Sequence, residues 1–347
     1  MNIEEYNYDL PENFIAQTPL ENRSSSRLLL LDKKTGALKE DIFLNLKKYL
    51  KKGDVLVLND TKVMPARIIG TKEETGAVIE LLLLENKTGD IWKCLSKPFK
   101  RLKEGTVITF GMGKLKAKVI KKEEEGIVIV EFLYDGIFME VLDELGTMPL
   151  PPYIHEKLSD QSRYQTVYAK EVGSAAAPTA GLHFTKELLK DLEKHGIELE
   201  YVTLHVGLGT FRPVEVQDIK KHHMHEERYA LSKEVANRLN KAKNEGRKIY
   251  AVGTTSTRVL ETVMKKYHNF VEDTGVTDIF IYPGFTFQAI DGLITNFHLP
   301  KSTLLMLVSA LSSKENILNA YEYAKKHDFR FFSFGDAMFI KTWEDEN

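Results

Sequence analysis

Four histidines of this 347-residue chain, His183, His205, His225 and His298, stand in or beside uncharged loops or strands. There an imidazole can accept or donate a proton near neutral pH or hold a neighbour by hydrogen bonding. His195, His268 and His327 lie in charged sequence and read as solvated. His223, His225 and Glu227 alternate, so a strand through them would place all three on one face. A metal site built from His205, His222, His225 and Glu227 lacks the coordinating cysteines or paired acids that would support it. Acid–base or hydrogen-bonding work suits these side chains better.

Two small-residue segments could bring main chain close to a ligand. Val172 to Thr185 carries no charged residue in 14 positions and contains nine small residues in a row, Gly173 to Gly181. Small side chains permit close backbone approach, and a helix starting after Thr185 would offer free N–H groups. Gly253-Thr254-Thr255-Ser256-Thr257-Arg258 repeats the logic as strand, glycine turn, hydroxyls and helix. It is neither a Walker loop nor a dinucleotide fingerprint. It suits a carboxylate or ribose hydroxyl, with Arg258 as an ion-pair partner.

The elements that must carry these groups read as α/β. Val55-Leu56-Val57-Leu58 suits a strand buried on both faces. From Ala66 to Tyr134, six short strand-like runs recur at intervals of about 8–12 residues, the pattern of a small β-barrel. Three prolines within Pro149-Leu150-Pro151-Pro152 mark a junction. Beyond it, helices are expected from Lys186 with Thr185 as N-cap, after Ser232, through Arg258–Lys266, at Thr303–Leu311 and at 316–327. Strands are expected at 198–206, 248–252, 278–282, 293–297 and 330–334. Each of these strands runs into an uncharged Gly- or Pro-containing loop, and in a mostly parallel sheet such loops gather at the carboxyl edge. The expected architecture is a large α/β domain, barrel-like or mixed-sheet, of residues 1–61 and 149–347, with an all-β barrel of residues 62–148 inserted.

Composition narrows the class. One cysteine, Cys94, excludes a disulfide framework and points to a reducing cytoplasm. The acidic start is no signal peptide, and the longest apolar run, Leu304 to Leu311, is far short of the roughly 18 residues that span a bilayer. The net charge of −2 hides an asymmetry: Lys93 to Lys122 holds ten basic residues against the single acid Glu104, leaving the other 317 residues at −11. Such a basic segment fits either a solvated, lysine-protected sheet edge or contact with a phosphate backbone.

Taken together the motifs resemble the S-adenosylmethionine:tRNA ribosyltransferase-isomerase family of queuosine biosynthesis. The resemblance is carried by Tyr8-Asp9-Leu10-Pro11, Ser26-Arg27-Leu28, Leu58 to Arg67, Met148 to Ile154 and Arg163 to Tyr168. It continues through the small-residue run to Thr185, Thr203 to Phe211, His222 to Tyr229, Val252 to Ser256, Thr277 to Gly284, Thr295 to Thr303 and Phe331 to Met338. Lys62 and Met64 stand where the family more often has Arg and Ile, and Lys lacks the bidentate fork of Arg.

The resemblance implies that S-adenosylmethionine is consumed as a ribosyl donor. The ribosyl group passes to the aminomethyl group of 7-aminomethyl-7-deazaguanine in a tRNA anticodon loop and isomerises to an epoxycyclopentane, while adenine and methionine leave. No metal or redox cofactor and no membrane partner are expected, and the enzyme is expected to be a cytoplasmic monomer. His183, His205, His225 and Glu227 become the expected acid–base set, with Asp60, Asp278 and Asp336 as orienting carboxylates. Ser174, Thr179, Gly181, Phe184, Gly207, Thr210, Gly253, Thr254, Thr255, Ser256, Arg258 and His298 are expected around S-adenosylmethionine, with Phe184, Phe211 or Phe334 stacking on adenine. Lys97, Lys100, Arg101, Lys118 and Arg67 are expected on tRNA phosphates, with Tyr164 and Tyr168 lining the entry of the modified base. Two rivals are a non-catalytic RNA-binding protein, which leaves the uncharged loops idle, and a methyltransferase, which would release S-adenosylhomocysteine instead of adenine.

Overall fold

The computed structural model describes residues 2–156, 158–207 and 216–343. The chain divides into two compact units, one of Met1–Thr61, Pro152–Glu171 and Ala177–Asn347, the other of Lys62–Pro151 and Val172–Ala176.

In the larger unit, the expected buried run becomes β3 (Val55–Asn59), every residue of which is buried. A strand buried on both faces needs neighbours on both edges and helices above and below. It obtains them as the centre of a nine-stranded mixed sheet. With β1 (Arg27–Asp32), β2 (Leu38–Ile42), β12 (Glu198–Leu204), β13 (Glu227–Leu231), β14 (Ile249–Val252), β15 (Asp273–Thr277), β16 (Gly292–Asn296) and β17 (Ala337–Lys341), the order is β15-β13-β12-β3-β14-β16-β17-β1-β2. β12, β3, β14 and β16 run parallel, whereas β13 and β17 run antiparallel to their inner neighbours. The sheet is therefore open and mixed, the second of the two forms expected.

Two expected strands are corrected. Residues 278–282 form no strand; the chain pairs instead at Asp273-Thr274-Gly275-Val276-Thr277, an edge strand that exposes Thr274 and Val276 and buries Thr277. Residues 330–334 form no strand either, because Phe332 takes a left-handed φ of 69° and only Phe331 makes an isolated bridge; the ladder begins three residues later, at Ala337.

The helices follow their caps. Thr185 accepts from the Leu188 N–H to start α2 (Lys186–Lys194), and Ser232 accepts from Val235 to start α3 (Lys233–Asn244). α4 (Gly253–Tyr267) starts without a capping side chain, Gly253 turning directly out of β14 with φ +86°, and packs on β3, β12, β14 and β16. α5 (Thr303–Leu311) and α6 (Lys314–Lys326) pack on each other. Leu188, Leu189 and Leu192 of α2 join Leu56, Leu58, Tyr250, Phe339 and Phe43 in one core.

In the smaller unit, β5 (Arg67–Lys72), β6 (Val78–Thr88), β7 (Ile91–Lys97), β8 (Val107–Phe110), β9 (Leu115–Lys122) and β10 (Ile127–Tyr134) close into an antiparallel barrel. Alternation sends Leu115, Ala117 and Val119 inward and Lys116 and Lys118 outward. Helix α1 (Phe138–Leu145) lays Phe138 against Trp92, Phe132 and Tyr134. β4 (Thr61–Val63) and β11 (Glu171–Ser174) form a separate two-stranded ladder. No helix among the described residues is long and apolar enough to cross a membrane.

Gly292 in β16 is held to glycine by close approach: a Cβ there would meet the Ile340 carbonyl oxygen at 2.5 Å. Gly292→Ala is expected to cost about 1–3 kcal/mol of stability through overpacking, read as a lowered urea midpoint at unchanged m-value.

Candidate functional site

Strand polarity alone collects a set of polar groups at one edge of the large sheet. The carboxyl ends of β3, β12, β14 and β16 lie there, and so do the amino ends of the antiparallel β13 and β17 and of β1, which runs parallel to β17. Asn59 and Asp60, His205, Gly253, Asn296, Glu227, Asp336 and Ser26 are the residues at those ends.

Asn59 ties two of these strands. Its carboxamide Nδ2 donates to the Leu204 carbonyl at 3.0 Å, while Oδ1 accepts from the N–H groups of Leu204 at 3.0 Å and Thr61 at 3.1 Å. Thr61 is thereby aimed at His205, with Oγ1 2.8 Å from Nδ1. The Thr61 hydroxyl is placed to donate to the Glu171 carbonyl at 3.4 Å. It therefore accepts from the imidazole, which puts the ring proton on Nδ1 and leaves the Nε2 lone pair without a partner among the described residues. Burial and Arg228 pull the His205 pKa down, opposed by Glu171. Neighbouring Asp60 accepts from Thr203 Oγ1 at 2.7 Å, and burial raises its pKa.

His183 has a different environment. Asn296 Nδ2 donates to the Phe332 carbonyl at 2.9 Å and contacts His183 Nε2 at 3.2 Å, so Nε2 accepts and Nδ1–H donates to Ser26 Oγ at 2.7 Å. Phe43 stacks on the ring at 5.0 Å. With both nitrogens engaged and burial lowering its pKa to about 3, His183 is a neutral positioning group rather than a proton carrier. His298 is likewise buried, with Nε2 2.9 Å from Thr295 Oγ1 and a pKa lowered to about 3 by burial.

Arg258, from the second turn of α4, forms a buried ion pair with Glu227, whose Oε1 also accepts from the Gly207 N–H at 3.1 Å. Among the described residues, Arg258 Nε and Nη2, Thr255 Oγ1 and Ser256 Oγ are buried without partners, as are Tyr168 OH and Thr166 Oγ1. An unpartnered buried polar atom costs about 1–3 kcal/mol, and native folds keep few of them. Four such atoms within Thr255 to Arg258 mark a place where a bound molecule would complete the hydrogen bonding.

Other expected residues land elsewhere. Asp336 spends both carboxylate oxygens on the N–H groups of Arg27 and Arg330, each at 2.8 Å, so it stitches the chain rather than facing a substrate. Phe184 is wholly buried in the core against Phe43, and Tyr164 is 1% exposed with its ring edge on Phe334, so neither face is open to a base. Asp278 and His225 are exposed, and His223 and His225 precede β13 instead of sharing a strand face with Glu227. The small residues from Ala175 to Gly181 are consumed largely by packing: a Cβ on Gly181 would meet the Tyr168 hydroxyl at 2.1 Å. Ser174 is buried and donates to the Ala176 carbonyl at 2.7 Å, and Thr179 donates to Asn296 at 3.4 Å. Thr210 and Phe211 lie outside the described residues.

On the barrel, Lys97, Lys100, Arg101 and Lys118 are exposed and carry no ion pair among the described residues, whereas Arg67 is paired with Glu80 at 2.7 Å. Lys122 lies over the Phe99 ring and donates to the Leu102 carbonyl at 2.7 Å, bracing the turn that presents Lys100 and Arg101. No cluster of three or more metal-ligating side chains occurs among the described residues.

Residues 3–340 match the queuosine biosynthesis protein family. The chain belongs to that family. Among queuosine biosynthesis relatives, a Staphylococcus haemolyticus protein named S-adenosylmethionine:tRNA ribosyltransferase-isomerase is 60% identical over 340 residues, covering 98% of this chain and all of its own. A Staphylococcus aureus protein of the same name is 59% identical over the same span. A crystal structure of S-adenosylmethionine tRNA ribosyltransferase from Thermotoga maritima is 38% identical with a TM-score of 0.57, covering 97% of this chain and 99% of that one. The fold expected of this queuosine biosynthesis protein, α/β with an all-β barrel, is the one observed. Sequence patterns missed Ser26, Asn59, Thr61 and Asn296, which stand at strand ends inside the matching motifs but carry no titratable group to draw notice.

Two buried neutral histidines make stability acid-sensitive. Their folded pKa values lie below the unfolded value near 6.5, so the unfolded chain binds protons first as pH falls. Stability is full above about pH 6.5 and falls by up to about 1.4 kcal/mol per pH unit for each between there and about pH 3. Urea unfolding at pH 7.0 and 5.0 should show this loss, and His298→Gln should reduce it.

Proposed function

We propose that this chain transfers the ribosyl moiety of S-adenosylmethionine to the aminomethyl group of 7-aminomethyl-7-deazaguanine in tRNA and isomerises it, giving epoxyqueuosine-tRNA, adenine and methionine. The end-to-end identity of about 60% to ribosyltransferase-isomerases carries this reading. The enzyme acts as a cytoplasmic monomer.

The chemistry needs a base for the acidified proton beside the sulfonium, an acid for departing adenine, and exclusion of water from the intermediate. His205 is the base: its free Nε2, its fixed tautomer and its lowered pKa favour the neutral, accepting ring. Asp60, whose pKa burial raises, is the acid. Thr255, Ser256 and Arg258 receive polar groups of S-adenosylmethionine, supported by their unpartnered atoms. His183, with Ser26 and Asn296, orders the edge on which these groups stand.

His205→Gln is expected to lower single-turnover adenine release at least about a hundredfold while S-adenosylmethionine still binds, as read by calorimetry. Near-normal release would remove His205 from this role. If the product were S-adenosylhomocysteine, the methyltransferase alternative would replace the reading altogether.

Lys97, Lys100, Arg101 and Lys118 supply the phosphate contacts. Lys100→Glu with Arg101→Glu should weaken tRNA binding and flatten its dependence on salt, each lost contact lowering the slope by about one. An unchanged slope would move the RNA footprint elsewhere.

A further inference from the structure

Beside His183 stand two half-buried arginines. Arg23 directs its guanidinium at main-chain carbonyls only, those of Gln165 at 2.9 Å, Ser162 at 3.1 Å and Leu182 at 3.4 Å. Arg163 gives one Nη2 bond to the Leu20 carbonyl at 2.5 Å, and its Nε–H is buried with no partner among the described residues. Neither forms an ion pair among the described residues. The two positive charges oppose each other, burial and Arg163 together lowering the Arg23 pKa. Asp336, the buried acid of this region, already has its oxygens on main-chain N–H groups.

The space around them fits a ligand. Arg23 and Arg163 line an inner pocket of about 20 Å³ with Ser26, Leu182, His183, Ser333 and Gly335. They also line an open cavity of about 1130 Å³ with Asn22, Thr185 and Leu188 and with the acids Glu21, Glu187 and Asp191. The inner volume matches one water or one oxygen of an anion, and the outer one accommodates the rest of a substrate. Asp160 favours their charged forms from beyond ion-pair distance, but two half-buried guanidinium groups with no carboxylate in contact among the described residues are held at a cost that an oxyanion would relieve through charge-assisted bonds.

We propose that Arg163, with Arg23 behind it, is an oxyanion-binding subsite next to His183 that holds a negatively charged group of a substrate. The proposal rests on the ribosyl-transfer reading for the identity of the substrates. They offer two sources of such a group, the α-carboxylate of S-adenosylmethionine and a tRNA phosphodiester. Arg23, bonded to three carbonyls, braces the subsite, and Arg163, with a spare donor, meets the ligand.

Two measurements decide it. In steady-state adenine release, Arg163→Gln should raise the KM of one substrate about tenfold or more and leave that of the other within twofold, with Arg163→Lys intermediate. An increase for S-adenosylmethionine assigns the carboxylate; an increase for tRNA, with a salt slope reduced by about one, assigns the phosphate. Independently of folding of the variants, wild-type protein is labelled with phenylglyoxal and mapped by mass spectrometry. Labelling of Arg163 should fall at least fivefold in the presence of S-adenosylmethionine alone or of tRNA alone. Unchanged labelling in both, or unchanged KM values in folded Arg163→Gln, would overturn the subsite. Absence of adenine release by wild-type protein would instead overturn the ribosyl-transfer reading, and the labelling arm would still report on the subsite.

Discussion

The central constraint on the large unit is that β3 has no exposed residue. Val55 to Asn59 can be buried only if strands cover both edges and helices both faces. β12 and β14 fill the edges in parallel, with Leu56 opposite Leu199 on one side and Tyr250 on the other. Parallel neighbours must end at the same side of the sheet. This aligns Asn59, Leu204 and Val252 and makes the following residues, Asp60, His205 and Gly253, neighbours across the edge. The Asn59 carboxamide locks the register with two hydrogen bonds to Leu204, and Thr61, two residues on, is held by a third from its own N–H.

Chemistry at the edge follows from how each side chain is satisfied, more than from its type. Three histidines illustrate this. His183 and His298 are buried and depressed to about 3, and His183 has both nitrogens occupied, so protonation would require opening the core. His205 is held by one nitrogen and keeps the other available. The Glu227–Arg258 pair is a third arrangement: burial makes it costly to break, and it holds the second turn of α4 while leaving Arg258 Nε and Nη2 without partners among the described residues. The edge thus combines rigid, fully bonded groups with a few deliberately incomplete ones.

Charge is distributed on a separate principle. In the barrel, alternation on β9 sends lysines outward, and Lys116 meets Glu73 at 2.8 Å while Lys121 meets Glu123 at 3.7 Å. The local excess of nine positive charges is therefore partly neutralised by acids from outside the basic segment. Lys97, Lys100, Arg101 and Lys118 remain without such partners among the described residues, a smaller set than the count alone implies.

Much was legible beforehand. Period-two alternation marked the six barrel strands, caps at Thr185 and Ser232 marked α2 and α3, and the apolar run at Val55 marked the central strand, because these signals are local and repeat within a few residues. Strand ends at 273–277 and 337–341 were not legible: the first is a polar edge strand, the second follows a left-handed Phe332, and both depend on which neighbour offers hydrogen bonds. The ordered matches along the chain identified the family. The surroundings of its histidines were decided only in three dimensions, since whether an imidazole titrates depends on burial and on partners such as Asn296 and Thr61 that lie more than a hundred residues away.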